Sequence, residues 1–216
     1  PAVVTEGEPI LIIARQPGTP FSGTPDLIGL DTDGNTVVIE LKRGRTPRDV
    51  VAQALEYAAW LASLEQKAVV ELADLYLAQK KAGQNLAQAW RDAFAPEEED
   101  ANVEPGESAA LPAGLLLNER QRVILVLEGA DERTTHVVQY LRKLGLRISL
   151  VEYRFFRIEG GDEMLDIRVR IGRETETGSG ATAATTEEGL IAGWSPEAQS
   201  TYRAFRQTLL AADEAI

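Results

Sequence analysis

The stretch PDLIGLDTDGNTVVIELK, residues 25–42, decides how the rest of the chain is read. Two apolar runs, DLIGLD (26–31) and NTVVIELK (35–42), flank Thr32-Asp33-Gly34. Asp-Gly between such runs is a strong hairpin signal, because glycine accepts the positive φ of a tight turn between twisted strands. Both runs are apolar on each face, as in the interior of a sheet covered by helices. Residues two apart in a strand point the same way, so Val38, Glu40 and Lys42 share one face. Counting outward from the turn sets Asp26 close to position 40 of the partner strand. Asp26 and Glu40 then converge on one point, with Lys42 about 7 Å further along by strand rise.

Two acids and a lysine at the end of an apolar strand are costly unless they serve a purpose. Two carboxylates with a backbone carbonyl, that of Leu41, make an oxygen site suited to Mg²⁺ or Mn²⁺. A lysine ammonium beside such an ion orients an attacking water and offsets negative charge building on phosphorus. That composition is expected of a metal-dependent phosphodiesterase. The chain carries its own control, Glu65-Gln66-Lys67. This second Glu-x-Lys sits in a helical stretch, where residues two apart diverge, and it has no Pro-Asp upstream.

Outward from the hairpin, ILIIAR (10–15) reads as a buried strand, followed by the loop QPGTPFSGTP (16–25). Thr46 as N-cap and Pro47 in the first turn open a helix running to about Leu64. Within it Gln53 and Tyr57, four apart, share a face, with Trp60 a further turn along. Residues 65–95 are helical again, with a break near Gly83. RVILVLEG (122–129) is a strand, 131–144 a helix, and strands 146–159 and 163–172 pair around Gly160-Gly161. The order β-ββ-α-α-β-α-ββ predicts a mixed α/β sheet with helices on both faces. Residues 1–172 form this domain, with an acidic, aperiodic insertion at about 96–112. A low-complexity linker (173–193) and an amphipathic helix (194–216) are expected to follow, the helix as a candidate start of a further domain.

Taken together, Pro25-Asp26 and Glu40-Leu41-Lys42 resemble the signature of the PD-(D/E)xK nuclease superfamily. Gln53-Ala-Leu-Glu-Tyr57 is similar to the Gln-x-x-x-Tyr motif of its RecB-like branch, and residues 37–61 resemble the NucS-like endonucleases. The resemblance implies a restriction-endonuclease-like mixed β-sheet flanked by helices and a metal-dependent DNA endonuclease. By the same resemblance Asp26 and Glu40 are metal ligands, Lys42 is the catalytic lysine, and Gln53 and Tyr57 are accessory. The family usually adds an acid on a helix before the first strand; here only Glu6 and Glu8 precede residue 10. The alternative is a catalytically inactive nuclease-fold module that serves as a DNA-binding or protein-interaction platform.

The formal net charge of −12 argues against a protein that coats nucleic acid electrostatically, yet leaves room for a local basic strip. Lys42, Arg43, Arg45 and Arg48 form such a strip and are candidate contacts to DNA phosphates. Arg15 stands at the rim of the first strand, and Arg154, Arg157, Arg168 and Arg170 alternate on the late hairpin. With no cysteine and only His136, thiolate or multi-imidazole zinc sites are excluded, and a reducing, cytoplasmic setting is expected. No apolar run reaches the ~18 residues of a membrane helix. Open strand edges allow a homodimer or a larger DNA-processing assembly.

Overall fold

The computed structural model describes residues 7–21, 23–44, 49–80, 83–94, 110–157 and 163–172, and within them residues 25–42 fold as a hairpin. β2 (Leu27–Leu30) pairs antiparallel with β3 (Thr36–Lys42), Leu27 opposite Ile39 and Leu30 opposite Thr36. Gly34 takes φ 82° at the turn, where a Cβ would stand 2.6 Å from the Leu116 carbonyl oxygen, so only glycine fits. Asp31 secures the turn: its Oδ1 accepts from the backbone N–H of Asp33 (3.1 Å) and Asn35 (2.8 Å).

β1 (Leu11–Arg15) pairs antiparallel with β2 on the outer side. β3 runs parallel to β4 (Gln121–Glu128), and β4 parallel to β5 (Ile148–Arg157). β6 (Glu163–Ile171) returns antiparallel to β5, so the strand order of the six-stranded sheet is the chain order. This is the mixed α/β fold that the element pattern predicts.

Parallel neighbours need crossover connections. α1 (Val50–Ala62), α2 (Gln66–Lys80) and α3 (Leu86–Phe94) lie between β3 and β4, and α4 (Glu132–Lys143) between β4 and β5. The α1 residues Val50, Ala54, Tyr57 and Leu61 recur at helical spacing and are buried. They join Val69, Ala73, Leu86, Trp90 and Val138 from the other helices in one core against Val38, Leu125 and Leu150 of the sheet. Each valine or leucine among them, fully buried, contributes roughly 1.5–3 kcal/mol of hydrophobic stabilisation.

The expectation of helices on both faces is corrected: all four described helices pack on the same face. Successive crossovers of one hand, advancing the same way across the sheet, place their helices on the same side. The opposite face buries Val37, Ile39, Ile124, Val126 and Val151, and the partly buried residues packed there, Ile10, Ile12, Leu27, Tyr153 and Ile167, lie in or beside strands. The apolar character of β3 on each face is thus real, but only one face meets helices among the described residues.

The long helical stretch expected at 65–95 is divided where anticipated, with Gly83 at φ 78° between α2 and α3. α1 starts at Val50 behind Asp49, whose side chain makes no capping bond. The expected opening at Thr46-Pro47, the turn at Gly160-Gly161, most of the 96–112 insertion and everything from 173 onward lie outside the described residues.

Candidate active site

Asp26 stands one residue before β2, and its carbonyl oxygen accepts a hydrogen bond from Gln16 N–H (3.1 Å). Its Oδ2 accepts from the backbone N–H of Leu41 at 2.9 Å, which fastens the Asp26 carboxylate to the end of β3. Backbone N–H and C=O of one strand residue face the same neighbour, so the Leu41 carbonyl lies on the Asp26 side. Glu40 follows Val38 onto the helix-covered face and is 2% exposed. Lys42 Nζ donates to Glu40 Oε1 at 2.5 Å. The separation of about 7 Å that strand rise implies is a backbone distance; the lysine side chain folds back along the strand and closes it. Tyr153 Oη donates to the Lys42 carbonyl oxygen at 3.3 Å from two strands away.

The electrostatics of the group follow from this crowding. Burial pushes the Glu40 carboxyl above its ordinary range; the Asp26 charge adds to the rise, while the hydrogen bond and charge of Lys42 and a hydrogen bond from the Asp26 backbone oppose it. Burial pulls the Lys42 ammonium down, but its bond to Glu40 and the charges of Glu40 and Asp26 leave it above its ordinary value. Tyr57 is likewise raised, first by burial and then by the Glu40 charge. At neutral pH Lys42 is therefore a cation and Tyr57 a neutral phenol, so both act as hydrogen-bond donors rather than bases. Glu40 Oε2 is buried and has no hydrogen-bond partner among the described residues. A buried carboxylate oxygen without a donor is unfavourable, and a proton, a water or a cation would each relieve it.

Tyr57 comes to this cluster from α1, and its hydroxyl packs on the loop ahead of Asp26. A Cβ on Gly23 would lie 2.7 Å from Tyr57 Oη. Sequence reasoning did not single out Gly23; the only signal was a glycine in a loop that must approach a helix. Gln53 Nε2 donates to Asp49 Oδ2 at 3.2 Å, so its amide is engaged at the start of α1. Trp60 is buried in the core.

Of the basic strip, Arg43 is exposed just past β3, while Arg45 and Arg48 lie outside the described residues. Arg15, also exposed, is opposite Leu27 and so stands at the Asp26 end of the sheet. Arg168 pairs with Asp166 (2.9 Å), whereas Arg154 (3.0 Å) and Arg170 (3.3 Å) share Glu152. His136 is exposed on α4. Glu8 pairs with Arg122 at 2.6 Å. Arg122 is opposite Val37, three residues and about 10 Å along the strand from position 40. No group of three or more His, Cys, Asp or Glu suited to a metal ion occurs among the described residues. The control triplet behaves as argued, with Lys67 pairing across one helical turn to Glu71 (3.7 Å).

No family model and no curated protein matches the chain. Two solved structures are similar. A repair endonuclease from Pyrococcus abyssi is 22% identical, with a TM-score of 0.34 over 68% of this chain and 40% of its own. EndoMS in a complex with double-stranded DNA is 20% identical, with a TM-score of 0.32 over 67% of this chain and 37% of its own. The chain thus spans about two fifths of the length of either structure.

Proposed function

We propose that the protein is a metal-dependent DNA nuclease that hydrolyses phosphodiester bonds at Asp26, Glu40 and Lys42. The observation that carries this reading is the buried Glu40 Oε2, without a hydrogen-bond partner among the described residues and close to the Asp26 charge, with a lysine ammonium on the other Glu40 oxygen. Among the donors present, the Asp26 and Glu40 carboxylates and the Leu41 carbonyl would hold Mg²⁺ or Mn²⁺, which prefer oxygen ligands. Such an ion, when bound, lowers the pKa of a water and neutralises the scissile phosphate. Lys42, held charged, positions the attacking water and donates to the phosphate oxygens as negative charge grows on them. Tyr57, held neutral, offers a second donor from α1. Arg43, exposed just past β3, is a candidate contact to neighbouring phosphates, as are Arg45 and Arg48 by their sequence positions.

The test is cleavage of a panel of single-stranded, branched, mismatched and duplex DNA with each metal. Glu40→Ala and Lys42→Ala are expected to lose cleavage while keeping the parent's fold; if both cut like the parent, the assignment is wrong.

The rival reading, a nuclease-fold module without catalysis, is favoured by the engagement of Glu8 with Arg122, which leaves only two acids at the site among the described residues. A thermal-shift titration separates the two readings. The nuclease reading expects Mn²⁺ to raise the melting temperature and Asp26→Asn to remove that rise. No response to either metal would favour the module.

A further inference from the structure

One row of side chains runs across four adjacent strands and links the candidate site to a second charged group. Lys42 of β3 is opposite Leu127 of β4, Leu127 is opposite Glu152 of β5, and Glu152 is opposite Arg168 of β6. Partners across a sheet point to the same side, and Leu127 lies in the core under the helices. Glu152 therefore stands on the face of Lys42 and Glu40, two strand spacings or about 10 Å from Lys42 along the row. It is 5% exposed, yet it holds two cations rather than one. Arg154 Nε and Nη2 donate to its Oε1 at 3.2 and 3.0 Å, and Arg170 Nε is 3.3 Å from its Oε2. Two guanidinium groups on one carboxylate leave one positive charge in excess. Arg168 adds none, because Asp166 matches it at 2.9 Å.

Exposed ion pairs add little stability, and a second arginine on the same acid adds repulsion. The arrangement suits a receptor for an anion better than a brace. A guanidinium carries five N–H donors in a fixed fork, and Glu152 engages the Nε side of each. The side chains of Arg154 and Arg170 are 61% and 49% exposed, so donors remain for a ligand arriving from solvent. Such forks match the paired oxygens of a phosphate. We propose that Arg154 and Arg170, oriented by the buried Glu152, bind a backbone phosphate of DNA beyond the one at Asp26, Glu40 and Lys42. This rests on the nuclease reading and gives it a second anchor, with Glu152 as a positioning residue. Phosphate contacts fix the register of a nucleic acid without reading its sequence. About 10 Å is the axial length of roughly three nucleotides of one strand, so the anchored phosphate is a near neighbour of the cut.

The experiment measures binding of the full chain to labelled single-stranded and duplex oligonucleotides in Ca²⁺, by fluorescence anisotropy over a series of salt concentrations. Removing the arginines alone would orphan the buried Glu152, so the test variant carries Glu152→Gln, Arg154→Gln and Arg170→Gln together. It loses two cations and one anion, a net loss of one positive charge. Arg168→Ala loses the same net charge at a neighbouring side chain and is the control. The triple variant is expected to bind roughly tenfold more weakly, the scale of one charged hydrogen-bonded contact. Its slope of log K against log salt should be shallower by about 1, as for one lost phosphate contact. Arg168→Ala should stay within about twofold of the parent. If the triple variant binds like the parent, or if Arg168→Ala weakens binding as much, no phosphate is anchored at Glu152 and the nuclease reading stands. A parent that binds neither DNA overturns both.

Discussion

Each end of the β2–β3 hairpin holds a buried carboxylate, and the two are treated in opposite ways. At the turn end Asp31 is 3% exposed, and both its oxygens are occupied. Oδ1 accepts from Asp33 N–H, Asn35 N–H and Asn35 Nδ2, while Oδ2 accepts from Asn35 Nδ2 and faces Arg147 at 3.5 Å. At the other end Glu40 is as deeply buried, but among the described residues only Oε1 has a donor, and a second acid is set close to it. The first arrangement closes a hairpin. The second tolerates repulsion and desolvation that a purely structural carboxylate would avoid, as expected where a protein gives up stability for chemistry.

The comparison can be broken at several points. The largest effect should be on turnover. Glu40→Ala or Lys42→Ala should lower the cleavage rate by about 10²–10³-fold or more, the scale of losing one preorganised electrostatic group. Asp31→Ala should do the reverse, sparing the chemistry of the molecules that fold while costing about 3 kcal/mol of stability in urea unfolding, because several buried donors lose their acceptor. If Asp31→Ala unfolds no more readily than the parent, the structural reading of that end is mistaken.

A subtler effect depends on pH. Because the folded-state pKa of Glu40 is raised, its ionisation works against the fold. That penalty is absent below the ordinary glutamate value of 4.5 and grows as pH rises through the folded-state pKa. Without metal, Glu40→Gln should therefore melt higher than the parent at pH 7–8, by on the order of a few °C, with the difference vanishing near pH 4. An equal shift at both pH values would contradict this. The smallest effect belongs to the exposed Arg168–Asp166 pair on β6. Arg168→Ala should change unfolding free energy by no more than about 0.5 kcal/mol.

Much of the fold and part of the site were legible in the residues alone. Thr32-Asp33-Gly34 set the hairpin register, and register brought Asp26 to the end of β3 because side chains alternate with a period of two. What stayed hidden depended on long-range placement. That Lys42 folds back onto Glu40 is a rotamer choice that strand spacing does not decide. That a side chain at residue 23 would press on the Tyr57 hydroxyl depends on where α1 lays Tyr57, more than thirty residues later in the chain. The side on which helices pack follows from crossover handedness, whereas an apolar strand looks the same whether helices cover one face or two. Glu8 was visible as an acid ahead of the first strand, but its pairing with Arg122 joins residues from far-separated parts of the sequence.

The register of β3 with β4 also bears on how the protein acquires its shape. Asp26, Glu40 and Lys42 sit on one local hairpin, while Thr36 waits for Gln121 to complete the parallel pairing. Hairpins close in about 1–10 μs, whereas contacts spanning long loops form much later. The two acids thus come together while water still screens them, and their mutual repulsion is felt in full only when β4 and α1 dock. The climb towards the native state should therefore be steepest at that late docking, not at the closing of the turn.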